Sequence, residues 1–255
     1  MEEKYYEINR DGYSVHCKLY GSGQKHYGRL IVCGHGFGGH KDNRAGFHYA
    51  ERIIGKYKDI ALLCFDWPCH GQDARKKLSL RECETYLRLV LEDCKERFTP
   101  KDIYGFANSY GGFLYLDYLY KFGNPFRKVF LKSPAIPMLN SLKNNILDEA
   151  SLKKLSQGKV VDAGFDRKVK IDNSFLEELR EADITKLDFT PFLDDIMIIH
   201  GDKDELIPFE TVKEFAEGNL LYFKPIEGAD HRYQNPHCFE LSYKEMVEFF
   251  GLGKE

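Results

Sequence analysis

The chain has 255 residues, 43% of them hydrophobic, which is enough to bury one sizeable core, and single α/β domains commonly reach this length. Its 40 acidic and 37 basic residues leave a formal net charge of −3 and are spread along the chain, so no run of one sign suggests a nucleic-acid groove or a basic membrane patch. The acidic, polar start MEEKYYEINRDG lacks the basic and apolar regions of a secretory signal, and no later apolar run approaches a membrane span; the expectation is a soluble, cytoplasmic protein.

Residues 4–9 and 13–19 are β-formers flanking Arg10-Asp11-Gly12, which predicts an N-terminal hairpin. After Gly21-Ser22-Gly23 the pattern changes to apolar runs separated by helical segments: RLIVCG at 29–34, a helix over about 43–57, and IALLCF at 60–65. A long amphipathic helix follows over about 79–98, where Leu80, Cys83, Leu87, Val90, Leu91 and Cys94 recur near helical period. DIYGFA at 102–107 then reads as a strand, Tyr110 to Lys121 as a helix, and RKVFLK at 127–132 as the next strand. Such alternation implies an α/β fold with a mostly parallel central sheet and helices on both faces. Residues 134–190 break the rhythm, being polar, helix-prone in places, and β-like only near 159–171. One domain over 1–255 is therefore expected, with 134–190 as a small inserted cap. The core resumes with DIMIIHG at 195–201, a helix from about 209, LLYFKPI at 220–226, and a closing helix over about 239–250.

Seven cysteines is an odd count, and Cys33 and Cys64 sit inside apolar runs where a reduced thiol behaves as a small hydrophobe, so no disulfide framework is expected. Zinc-finger spacing and His-Glu-x-x-His are absent from the sequence, and no metal or other cofactor is expected. Neither nucleic acid nor a membrane is expected as a partner. The oligomeric state stays open, a homodimer among the alternatives.

Ala107-Asn108-Ser109-Tyr110-Gly111-Gly112 lies between a predicted strand and a predicted helix and has the shape of a nucleophile elbow. In that turn the serine is held in a strained conformation, and the residues two before and two after it must be small, as Ala107 and Gly111 are. Acyl transfer needs donors for an oxyanion; the Tyr110 N–H at the helix start is one, and the Phe37 N–H in His35-Gly36-Phe37-Gly38-Gly39 is the candidate for the second. Of nine histidines only His200, His231 and His237 follow Ser109, and in hydrolase sheets of this order the chain runs serine, acid, histidine. His200 precedes every plausible acid and His237 stands near a helix start, which leaves His231 in the loop after the last strand as the general base. Asp202, Asp204 and Glu205 compete for the acid. Asp204 is favoured because its turn can aim a carboxylate at the loop holding His231, while Asp202 can order the turn through its own backbone and Asp230 is too near in sequence to reach the imidazole Nδ1. His35 and His70 read as loop-ordering residues.

On the motifs HGFGG (35–39), DWPCHG (66–71), ANSYGG (107–112), HGDKDELIP (200–208) and GADH (228–231), the chain resembles the α/β-hydrolase superfamily over roughly Tyr20 to Gly251. Within it the resemblance is to the bacterial group of serine aminopeptidase-like hydrolases and cinnamoyl or feruloyl esterases. Alanine stands at 107 where the usual elbow has glycine, and Asn108 where histidine or glutamine is frequent. The resemblance implies an α/β-hydrolase fold and an acyl-binding cleft under the cap. The expected activity is a serine hydrolase cleaving esters of short or aryl-containing acyl groups, with Phe37, Tyr110 and the cap residues Leu139, Leu142, Ile146 and Phe165 around the substrate. An aminopeptidase or amidase of the same fold, or a non-catalytic ligand-binding relative, are the alternatives.

Overall fold

A computed structural model describes residues 1–165 and 167–253. The chain opens with β1 (Glu2–Arg10) and β2 (Tyr13–Gly21), an antiparallel hairpin closed by a two-residue turn. Asp11 and Gly12 both have positive φ, at 54° and 78°, the conformation that matches the twist of the flanking strands and that an Asp-Gly pair adopts at little cost. Then come β3 (Arg29–Gly34), α1 (Arg44–Lys56), β4 (Ile60–Phe65), α2 (Leu80–Phe98), β5 (Asp102–Asn108), α3 (Tyr110–Phe122) and β6 (Val129–Lys132). Helix α1 begins where Asn43 accepts the Gly46 N–H, an N-cap that satisfies one otherwise free donor.

The segment between β6 and the next core strand contains α4 (Met138–Ser141), a π-helical turn (Leu142–Ile146), α5 (Glu149–Ser156), the short antiparallel pair β7 (Val161–Ala163) and β8 (Val169–Ile171), and α6 (Asn173–Glu181). The β-like stretch expected near 159–171 is this pair. The core resumes with β9 (Ile196–Gly201), α7 (Phe209–Gly218), β10 (Tyr222–Ile226) and α8 (Pro236–Phe250). Helix α8 starts earlier than its apolar periodicity suggests, because Asn235 accepts the His237 N–H and Pro236 supplies a preset first helical residue.

The strands form one eight-stranded sheet in the order β1-β2-β4-β3-β5-β6-β9-β10, parallel from β4 to β10. Its central strands are buried on both faces, and alternate residues go to different sides. In β4, Ala61, Leu63 and Phe65 join the cluster under α2, α3 and α7, whereas Ile60, Leu62 and Cys64 join the cluster under α1 and α8. Leu142, Leu155 and Phe175 of the inserted segment belong to the first of these clusters, so that segment shares its apolar contacts with the sheet. The seven cysteines are free thiols. No helix among the described residues is long and apolar enough to cross a membrane.

The strand order positions the site. From β3 the chain turns to β4 on one side and later to β5 on the other, so the loops leaving β3 and β5 diverge from adjacent strand ends, where ligands bind in open parallel sheets. Those two loops carry Phe37 and Ser109. The loops after β9 and β10, also adjacent strands, carry Asp204 and His231.

Candidate active site

Ser109 is the single residue between β5 and α3, with φ 51° and ψ −117°. A non-glycine residue there is strained by about 1–3 kcal/mol, and the surroundings must hold it. They do so through the Ser109 N–H, which donates to Lys132 O at 3.0 Å, and the Ser109 carbonyl, which accepts the N–H of Phe113 and of Ala135. Gly111 is required for a reason other than its distance from Ala107. A Cβ at this position would stand 2.6 Å from Gly34 O and 2.8 Å from His35 O, where helix α3 passes the end of β3. Because these are backbone atoms that cannot step aside, Gly111→Ala is expected to destabilise the fold by about 3 kcal/mol, read as a drop in Tm of roughly 10 °C. An unchanged Tm would show that the helix can shift away from β3 at no cost.

The HGFGG loop is fastened from beneath. His35 donates from Nδ1 to Gly36 O at 2.8 Å and accepts the Trp67 N–H on Nε2 at 3.3 Å, while Trp67 Nε1 donates to His35 O. Asp66 accepts the Lys41 N–H, the Gln72 N–H and Lys41 Nζ, tying this loop to the one after β4. His70 donates to Pro68 O, and its ring lies against Phe37 and Tyr110. Burial keeps both histidines neutral, pushing His35 well below the ordinary imidazole range and His70 down to about 4. Both therefore sit where a loop-ordering role puts them. Neither the Phe37 N–H nor the Tyr110 N–H meets an acceptor among the described residues.

Asp204 and His231 meet directly. His231 Nδ1 lies 2.8 Å from Asp204 Oδ2 and 3.0 Å from Oδ1, and the carboxylate is fully buried while the ring is about one-tenth exposed. Burial alone would raise the Asp204 pKa, but the His231 contact and the N–H of Ile207 outweigh it and hold the carboxyl below its ordinary value. Asp204 also orders its own turn, accepting the N–H groups of Leu206 and Ile207 on Oδ1. Asp202, the residue expected to do that, accepts the Gly228 N–H of the next loop instead. Glu205 accepts the His231 N–H, and Asp230 accepts the Gln234 N–H. His200, fully buried, bonds Ile207 O through Nε2, which also stands 3.3 Å from Asp204 Oδ2. Sequence order excludes His200 as a base but gives no sign of this contact with Asp204.

Ser109 and His231 open onto one cavity of about 1160 Å³, walled by the HGFGG loop, the loop after β10 and the inserted segment. Phe37, Ile146 and Phe165 line it. The Tyr110 ring does not: it is buried between Phe37, His70 and Phe113, with its hydroxyl on Cys83 Sγ. Leu139 and Leu142 also lie off the cavity, and Met138, Ser141 and Asn145 line it in their place. Residues three and four apart share a helical face, so in this segment the apolar residues at 139 and 142 turn toward the core. Asn145 further donates to Leu206 O, joining the inserted segment to the loop that carries Asp204. Asn108, which the sequence marks only as a departure from the usual elbow, and Lys132, which it does not single out, line the cavity beside Ser109.

The fold has counterparts among solved structures. The structure of Est1E from Butyrivibrio proteoclasticus with ferulic acid bound is similar, with a TM-score of 0.75 and 23% identity over 96% of this chain and 99% of that one. So is a monoacylglycerol lipase of Paleococcus ferrophilus, with a TM-score of 0.69 and 18% identity over 94% and 99%. The esterase domain of a Rhodothermus marinus protein follows, with a TM-score of 0.67 and 16% identity over 98% of each chain. No curated protein sequence matches the chain. The model of the alpha/beta hydrolase family matches residues 31–240, most of the sequence and all of the loops just described, and the chain belongs to that family.

Proposed function

We propose that the chain is a serine hydrolase of carboxylic esters, with Ser109 as nucleophile, His231 as general base and Asp204 as the acid that orients it. The observation that carries this reading is His231, paired with the buried Asp204, opening onto the same cavity as a serine held at a strained strand-to-helix turn. With Nδ1–H donating to Asp204, the His231 lone pair is on Nε2 and can take the proton of Ser109 Oγ as that oxygen attacks the ester carbonyl. The N–H groups of Phe37 and Tyr110 receive the oxyanion. Collapse of the intermediate expels the alcohol, which leaves with the proton held by His231. Water activated by the same imidazole then releases the acid and restores Ser109.

Esters are favoured over aminoacyl amides by the charge of the cavity. An aminopeptidase needs a carboxylate for the substrate amine, and the acids in this wall are Asp42 and Glu51. Asp42 is occupied by Tyr5, Lys18 and Lys41. Short or aryl acyl groups fit a wall of Phe37, Ile146 and Phe165, since flat groups pack on rings at little conformational cost. The similar structures point the same way, one holding ferulic acid and the others being a lipase and an esterase domain. Residues 134–190 act in this reading as a cap that sets specificity. The test is kcat/KM for acetyl, butyryl, octanoyl and cinnamoyl esters beside an alanyl amide. Cinnamoyl and acetyl esters are expected to outrun octanoyl, and Ile146→Ala or Phe165→Ala to reorder them. Faster turnover of the alanyl amide than of every ester would overturn the assignment.

A further inference from the structure

The cavity that holds Ser109 and His231 also holds a buried lysine for which the acyl-transfer steps have no use. Lys132 ends β6, between the strand that leads to Ser109 and the strand that leads to Asp204. It is only 6% exposed, yet it lines the cavity. Its Nζ lies 4.3 Å from the centroid of the Tyr233 ring. Among the described residues no carboxylate comes within ion-pair distance of it. Asp204 is taken by His200 and His231, and Asp230 accepts the Gln234 N–H. Burial pushes the Lys132 pKa down to about 8 although Asp204, Asp230 and Cys33 pull it upward. An ammonium so placed has lost water without gaining a counter-ion, and an anion entering the cavity would supply one. The rest of the wall is mainly of the same sign: Arg44, Arg167 and Arg232 line it, and of its two acids Asp42 is already paired with lysines while Glu51 stands beside His48.

We propose that the ester accepted by this cavity carries a carboxylate of its own, seated on Lys132 Nζ, with the arginines of the wall drawing it in. This rests on the serine-hydrolase reading above and narrows its substrate class to anionic esters. The carboxylate can belong to the acyl part or to the alcohol part, and two matched substrate pairs distinguish them. For the acyl side, the 4-nitrophenyl monoester of glutaric acid is compared with 4-nitrophenyl 4-carbamoylbutyrate; for the alcohol side, 4-acetoxybenzoate with 4-acetoxybenzamide. Each pair differs in charge and hardly in shape, so the ratio of kcat/KM within a pair isolates the anion.

At pH 7 the ratio is expected to be about tenfold or more in one pair, carried mainly by KM, since charge-assisted hydrogen bonds are the stronger kind. Lys132→Met should bring that ratio close to one, and Lys132→Arg should keep most of it. In the wild type the ratio should also fall as pH rises through about 8 and the ammonium is lost. The titratable groups around Lys132 are Asp204, Asp230, Cys33, His200, His231 and Tyr233; the part that Asp204 and His231 play in hydrolysis itself is common to both members of a pair. Wild-type ratios near one in both pairs would overturn the proposal. So would a ratio that survives Lys132→Met; if that variant fails to fold, a wild-type ratio unchanged from pH 7 to pH 9 overturns it. Labelling of Ser109 by a fluorophosphonate separates the two levels: a labelled serine with ratios near one sinks the anion site alone, and an unlabelled serine sinks the hydrolase reading.

Discussion

Ser109→Ala is expected to lower kcat/KM on any ester the wild type cleaves by on the order of 10³-fold or more, with Tm unchanged within a degree or two. Among the described residues the Ser109 side chain makes no hydrogen bond that caps the helix or holds the turn. The strained backbone is held instead by the Ser109 N–H on Lys132 O and by the Ser109 carbonyl. Alanine keeps all of these and tolerates the same positive φ no worse than serine does. The variant should therefore separate chemistry from folding cleanly. Residual hydrolysis would come from the oxyanion donors and from binding. A variant that stays folded and active would remove Ser109 from the mechanism.

Asp204→Asn should cost a comparable factor or more, about 10⁴-fold in kcat, with little loss of stability. The asparagine Oδ1 can still accept the N–H groups of Leu206 and Ile207, so the turn survives. The amide NH₂ then replaces Oδ2, the atom that faces both His231 Nδ1 and His200 Nε2. A donor opposite Nδ1 drives the proton to Nε2 and leaves the imidazole in the tautomer that cannot act as base. Asp202→Asn serves as the control. Its Oδ1 accepts only the Gly228 N–H, a bond that asparagine preserves, and a change of less than about threefold is expected. The reverse ranking of the two variants would reassign the acid to Asp202.

Much of this site is legible in the sequence because it is built at strand ends, and strand ends are marked by local chemistry. The runs RLIVCG, DIYGFA and DIMIIHG are buried on both faces and so read as apolar throughout, and each is followed by the loop that carries a site residue. The Ser109 turn, the HGFGG loop and the Asp204 turn each need particular residue types at fixed offsets. What the sequence conceals depends on contacts between distant segments. The requirement for Gly111 comes from the carbonyls at the end of β3, and the turn-ordering role expected of Asp202 belongs to Asp204. In the inserted segment, apolar character identified Leu139 and Leu142 as substrate contacts, although a helix that shares its core with the sheet sends such residues inward and presents Met138, Ser141 and Asn145 to the cavity. Lys132 has a visible signal in the sequence: a lone charge ending the apolar strand VFLK, at the carboxyl edge of a parallel sheet where ligands bind.

The most direct test of the account is covalent labelling of the wild-type chain with a fluorophosphonate probe, followed by intact-mass and peptide mapping. One phosphonyl adduct per chain is expected, located on Ser109. Labelling should be slowed by orders of magnitude in His231→Ala, where the base is missing, and absent in Ser109→Ala. An adduct on another residue, or ester hydrolysis by a wild-type chain whose Ser109 the probe never modifies, would contradict the account.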